Sequence, residues 1–154
     1  MYSPQLQNEI YASAIEAGLI SVEEVEGLIC FYERQTIHPI TALIGAGVSE
    51  LRLYQVFAER SSLPLDLDPL PVAAEKRLPV SAEHLAYFDA IAVEAAGDGL
   101  SVASWRWEQR NVIPAALANL AGVPVSLVLV TYSAFERLAT ELRERRPGAW
   151  PDQF

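Results

Sequence analysis

Apolar positions in the first 60 residues recur at three- and four-residue spacing, the signature of amphipathic helices, and they are punctuated twice in the same way. The first punctuation is Ile15-Glu16-Ala17-Gly18-Leu19 followed by Ser21, and the second is Ile44-Gly45-Ala46-Gly47-Val48 followed by Ser49. Helical apolar sets come next in both copies, Val25/Leu28/Ile29 and Leu53/Val56/Phe57. Helix stop, serine cap and new helix, in matched order, predict a duplicated helical hairpin. The first helix is expected from about Pro4 to Ala17 with Gly18 as its stop. Ser21 with Glu24 three positions later forms a capping box for the second helix, which ends near Arg34 or Gln35. A short third helix begins at His38-Pro39 and stops at Gly47. Ser49 caps a fourth, which runs to about Arg60.

From Ser62 to Pro79 the pattern changes. Pro64, Pro69, Pro71 and Pro79 exclude regular helix and central strand, yet Leu63, Leu65, Leu67 and Leu70 alternate with polar or proline positions, as an extended edge packed on a neighbour would. Beyond it, Ser81 to Phe88 predicts a short helix, and Ala90–Glu94 and Leu100–Ser104 predict two strands with Asp98-Gly99 as a hairpin turn. Asn111 to Leu120 is helical with Gly122 as its stop, Val123 to Thr131 is a β-branched strand, and Ser133 to Arg145 closes the chain as a helix ended by Pro147-Gly148. The predicted class is α+β: four helices as duplicated hairpins, then a small α/β unit with a three-stranded sheet. The expected division is a hairpin subdomain over 1–62, a proline-rich connector over 63–80 and an α/β subdomain over 81–154.

Composition narrows the chemistry. The chain has 154 residues, half of them apolar, which is globular rather than disordered. Its longest apolar runs, such as Val123 to Val130, fall far short of the roughly 20 residues a spanning helix needs, so no direct membrane insertion is expected. The N-terminal Met1-Tyr2-Ser3-Pro4-Gln5 does not resemble a secretory signal. One cysteine, Cys30, excludes an internal disulfide and is expected on the apolar face of its helix as core packing; the picture is of a reduced, cytoplasmic protein. A net charge of −9 argues against nucleic-acid or anionic-membrane binding. Arg137, Arg143, Arg145 and Arg146 cluster near the end, but interleaved Glu136, Glu141 and Glu144 make this a salt-bridged solvated face.

No catalytic pattern emerges. His38 and His84 are the only imidazoles and neither sits in a triad context. One Cys and two distant His cannot supply a zinc set. Asp66 and Asp68 lie in a proline-rich segment as solvated carboxylates, and no phosphate-cradling glycine loop is present. The expectation is no enzyme, no metal and no cofactor. Trp105 and Trp107 flank Arg106 directly after a strand, and alternation would place both indoles on one face with Arg106 opposite. Closing the core of a small α/β unit is the favoured role; a hot spot for a partner is the alternative.

The layout resembles the N-terminal domain of type II secretion and type IV pilus assembly ATPases (the cyclic di-GMP-binding MshE-N-like domain), a domain also appended to membrane glycosyltransferases of the phage-adsorption-protein-B type. Ala17-Gly18-Leu19-Ile20-Ser21-Val22-Glu23-Glu24-Val25 is similar to the family's hairpin sequence, and Ala58-Glu59-Arg60-Ser61-Ser62-Leu63-Pro64 to the stretch that ends its helical half. Leu78-Pro79, Asp98-Gly99-Leu100-Ser101-Val102-Ala103 and Gly122-Val123-Pro124-Val125 carry the likeness through the second half. The resemblance implies a cytoplasmic regulatory or protein-interaction module, peripheral to the inner membrane through a protein partner. That partner would be the cytoplasmic part of an inner-membrane secretion or polysaccharide-export component. In many members the helical half binds cyclic di-GMP through two Arg-Leu-Gly motifs, each followed by a helix-ending Gln. Here the corresponding triplets are Glu9-Ile10-Tyr11 and His38-Pro39-Ile40, and the glutamine positions hold Tyr32 and Arg60. Both arginines are gone, so the resemblance implies a degenerate nucleotide motif and no cyclic di-GMP binding in the family manner. The alternative is a variant binding mode using Arg34, Gln35, Arg52 and Arg60. Leu63, Leu65, Leu67, Leu70, Trp105 and Trp107 are the candidate partner surface.

Overall fold

The computed structural model describes residues 4–73, 76–94 and 99–145. The chain forms two compact units, Met1–Ser62 and Leu63–Phe154. The first contains α1 (Pro4–Glu16), α2 (Val22–Phe31), α3 (Pro39–Gly45) and α4 (Glu50–Ser61), and the duplication is visible in its hydrogen bonds. Gly18 N–H donates to Ile15 O and Leu19 N–H to Ala14 O, both at 3.0 Å. In the second copy Gly47 N–H donates to Ile44 O at 3.0 Å and Val48 N–H to Leu43 O at 3.1 Å. These paired reach-back bonds satisfy the orphan carbonyls of each leading helix. They need a left-handed residue, and the two glycines supply it at φ +75° and +100°.

The serine caps repeat as well. Glu24 N–H donates to Ser21 Oγ at 3.1 Å while Ser21 N–H donates to Glu24 Oε1 at 3.2 Å, and Arg52 N–H donates to Ser49 Oγ at 3.3 Å. α1 packs against both α3 and α4. Ile10, Ala14, Ile40, Leu43, Leu53, Tyr54 and Phe57 are all buried, and the Tyr54 and Phe57 rings meet edge to face with centroids 5.4 Å apart. Each fully buried Ile, Leu or Phe among them contributes about 1.5–3 kcal/mol. Several details differ from the sequence expectation: α2 ends at Phe31 rather than near Arg34 or Gln35, and its Leu28 and Ile29 are half-buried rather than buried. Tyr54 takes the buried place expected of Val56, which is half-buried. Cys30 is exposed rather than packed in the core, because α2 buries only Val25 and turns its last turn to solvent.

The second unit is built on a mixed sheet ordered β1-β2-β3. β1 (Ala90–Ala92) runs antiparallel to β2 (Leu100–Ser104), and β2 runs parallel to β3 (Val125–Leu129), with Leu100 opposite Val125 and Ser104 opposite Leu129. The β2–β3 crossover is carried by α6 (Val112–Ala121), which packs on β3; α5 (Ala82–Tyr87) packs on β1, as does α7 (Tyr132–Arg145). Asp98 of the expected hairpin turn, and the expected stop Pro147-Gly148, lie outside the described residues. Gly99 has φ +95°, and a Cβ there would sit 2.8 Å from Pro124 O, so the turn and the β2–β3 approach both require glycine.

Residues 63–73 border both edges of this sheet. Along β3, Asp66 N–H donates to Leu129 O at 3.0 Å and Leu129 N–H to Pro64 O at 2.9 Å. Along the other edge, Val72 N–H donates to Ala92 O at 3.2 Å and Glu94 N–H to Leu70 O at 2.9 Å. Proline carbonyls accept but their nitrogens cannot donate, so the segment covers the edges without presenting a new ladder outward.

Candidate functional site

The positions expected from the resemblance to hold a nucleotide motif fall on α1, the end of α2, the start of α3 and the end of α4. In α1, Ile10 and Tyr11 are 1% and 5% exposed. Glu9 is half-buried, and its carbonyl accepts from Ser13 Oγ at 2.7 Å. In the second copy His38 is the N-cap of α3: its Nδ1 accepts from Ile40 N–H at 3.1 Å, and its carbonyl accepts from Thr41 Oγ1 at 2.8 Å. Pro39 occupies the first helical position, where its missing N–H costs nothing, and Ile40 is fully buried. Both triplets therefore serve helix geometry and packing. No arginine or lysine stands at either one.

Tyr32 is the C-cap residue of α2, stacked edge to face on Phe31 at 4.8 Å. Arg60, at the other glutamine position, is ion-paired through its Nη1 to Glu16 Oε2. This pair ties the last turn of α4 to the end of α1. Glu16 is a residue that sequence reasoning left unassigned. The available signal was its place inside the repeated motif, where the second copy has Gly45.

The candidate partner surface divides. Leu63 and Leu65 are half-buried, and Leu65 bridges to Leu129 at the sheet edge. Leu67 and Leu70 are 54% and 66% exposed. Trp105 and Trp107 are only 6% and 1% exposed, so neither indole offers a docking face. The expected alternation fails because β2 ends at Ser104 and a 3-10 turn starts at Trp107. Arg106 is not opposite the indoles either: its guanidinium lies 5.2 Å from the Trp105 ring centroid, and that of Arg110 lies 4.2 Å over Trp107. Trp105 also meets Tyr132 of α7 edge to face. The pair closes the core of the unit.

A concave site lies between the end of α5 and the start of α6. Tyr87, Phe88, Arg106, Gln109, Val112 and Ile113 line a cavity of about 270 Å³. Asp89, buried and in the left-handed region at φ +50°, turns the chain from α5 into β1 and faces Arg106 Nε with its carboxylate. The sequence held no short-range signal for this site, because residues 87–89 and 106–113 approach only through the strand pairing.

Asp66 Oδ1 accepts from Asp68 N–H at 3.0 Å, and Asp68, almost fully exposed, lies 3.8 Å from Arg137. Among the described residues no group of three or more His, Cys, Asp or Glu could hold a metal ion. Among them, too, no helix is long and apolar enough to cross a membrane.

The architecture defines a class: duplicated helical hairpins followed by a small mixed-sheet α/β unit. Solved structures share it. A structure of MshE with cdg (cyclic di-GMP) superposes with a TM-score of 0.63 at 20% identity, covering 83% of this chain and 94% of that one. The N-terminal domain of XpsE superposes with a TM-score of 0.62 at 18% identity, covering 90% of this chain and 96% of that one. The chain shares the fold of these two structures. No family model matches the sequence, and no curated protein matches it.

Proposed function

We propose that this chain is a non-catalytic cytoplasmic interaction module that docks a secretion-type ATPase, or a membrane glycosyltransferase carrying the same domain, onto the cytoplasmic part of an inner-membrane component. The observation that carries the reading is the likeness to the XpsE N-terminal domain along nine-tenths of the chain. The exposed Leu67 and Leu70 support it as a contact surface, since paired apolar side chains beside a rigid edge suit a partner helix or strand. The experiment is capture of the cytoplasmic segment of such a component by the purified chain. A double Leu67→Ser, Leu70→Ser variant is expected to lose capture with an unchanged circular dichroism spectrum. Undiminished capture would remove this surface from the account, and failure of the wild type to bind any such segment would remove the function.

The same reading holds that the chain does not bind cyclic di-GMP in the family manner. A charge-assisted hydrogen bond from Arg to phosphate contributes about 1.5–3 kcal/mol, and both motif arginines are replaced. Glu9 instead adds negative charge, and Arg60 is engaged by Glu16. The likeness to MshE with cdg favours a second reading, a cyclic di-GMP sensor with a variant mode. Arg34, Gln35 and Arg52, all exposed, would join Arg60 in it, and nucleotide titration separates the two.

A further inference from the structure

We infer that the solvent-facing side of α2 docks a basic, amphipathic helix of a protein partner. The partner helix would cross at Gly27, pack an apolar side chain against Phe31 and set Lys or Arg beside Glu23 and Glu26. The inference rests on the docking function above and supplies the chemistry of the partner. The duplication provides an internal reference for this face. Aligning the capping serines, Ser21 on Ser49, places Gly27 on Gln55 and Phe31 on Glu59. Gln55 and Glu59 are exposed and polar, as solvent-facing positions one turn apart should be. Gly27 is exposed too, and Phe31 is 72% exposed. So α2 carries a glycine and an aromatic ring on the row where α4 carries two polar side chains.

Gly27 indicates the mode of contact. Glycine inside a helix is less favourable than alanine, and a left-handed backbone or close packing within the chain are the usual reasons for one. Neither applies here. Gly27 lies within α2 without the positive φ of Gly18 or Gly47, and a Cβ built there meets no atom within 4 Å. Close approach by the backbone of another molecule is the reason that remains. With Cys30 and Phe31 exposed one turn further on, Gly27 forms a notch beside an apolar ridge, the relief into which a crossing helix packs. Tyr32 braces the Phe31 ring edge to face, and an exposed aromatic side chain of this kind suits an interface anchor.

Charge names the occupant. Glu23 and Glu26 are exposed one turn before Gly27 and Cys30, and Glu33 is exposed just beyond the helix, with Arg34 as the nearby cation. This acidic border repels a second copy of a chain of net charge −9, as it repels nucleic acid and anionic membrane. It attracts a helix whose apolar stripe is flanked by Lys or Arg. A helix surface is convex, so it packs on another element rather than enclosing a small molecule. An amphipathic helix of opposite charge therefore matches the notch, the ring and the carboxylates together.

The test is selection, on the full chain, of a phage-displayed library built on an amphipathic helix with randomised positions, followed by fluorescence anisotropy with the synthetic consensus helix. The expected consensus flanks an apolar stripe with Lys or Arg. Phe31→Ala should weaken binding by roughly tenfold or more with a native circular dichroism spectrum. Gly27→Ala should raise the urea midpoint of the chain and yet weaken binding severalfold, a split that a purely structural glycine would not give. The double variant Glu23→Gln, Glu26→Gln should weaken binding severalfold and flatten its salt dependence. An acidic or uncharged consensus, no enriched helix, or binding indifferent to Phe31→Ala or to Gly27→Ala would overturn the proposal. Capture of the inner-membrane segment that persists in Phe31→Ala and depends on Leu67 and Leu70 would also overturn it, while leaving the docking function intact. Basic helices bound through Phe31 without any capture of that segment would instead remove the docking function and keep this face.

Discussion

The two hairpins of the first unit share one local design and differ in what they bury. Each ends its leading helix with a glycine at positive φ, reaches back with the same pair of carbonyl bonds and starts the next helix on a serine. Yet α4 buries Leu53, Tyr54 and Phe57, whereas α2 buries only Val25 and exposes Val22, Cys30 and Phe31. The difference teaches that hairpin geometry is encoded within about ten residues, while burial is set by what packs against the finished helix. Duplication preserved the first and let the second diverge. Glu9 and His38 each serve their own helix, the first through its carbonyl to Ser13 and the second as the N-cap of α3.

The comparison can be broken most forcefully in the core. Phe57→Ala should destabilise the unit by about 3–5 kcal/mol, measured by urea unfolding. The formally similar Phe31→Ala, at a 72% exposed position, should cost within about 0.5 kcal/mol. Equal losses at the two positions would mean that α2 is packed after all. Next come the turns. Neither Gly18 nor Gly47 has any atom within 4 Å of a built Cβ, so Gly18→Ala and Gly47→Ala should each cost only the left-handed backbone strain, about 1–2 kcal/mol, and by the same amount. A large inequality would show that one turn is held by something other than its own bonds.

The caps sharpen the comparison further. Ser49→Ala should cost about 1 kcal/mol. Ser21→Ala should cost somewhat more, because it dismantles a reciprocal box with Glu24. Smallest is the cross-copy ion pair. Arg60 and Glu16 are 43% and 61% exposed, so Arg60→Ala should change stability by under about 1 kcal/mol, an effect that salt screens. A larger loss would mean that the pair carries the hairpin packing.

What was legible in the sequence follows the same division. Ser21, Glu24, Ser49, Gly18 and Gly47 announce their roles because caps and stops act over three or four residues. Helix order and strand order follow from periodicity, and the short β1 and β3 are trimmed at their ends. Cys30 was placed wrongly, since an apolar position on a helix does not say whether anything covers it. Trp105 and Trp107 close the core as favoured, but Arg106 was placed opposite them because strand alternation was extended past Ser104, where the chain turns. The Arg60–Glu16 pair and the Tyr87–Val112 cavity join residues far apart in sequence, and no local pattern encodes them.

The most direct measurement for the account as a whole is titration calorimetry of the purified chain with cyclic di-GMP. Without an arginine at position 9 or 38, and with Arg60 held by Glu16, no binding heat is expected at micromolar nucleotide. A saturating isotherm with micromolar or tighter affinity would contradict the account and install the sensor reading in its place.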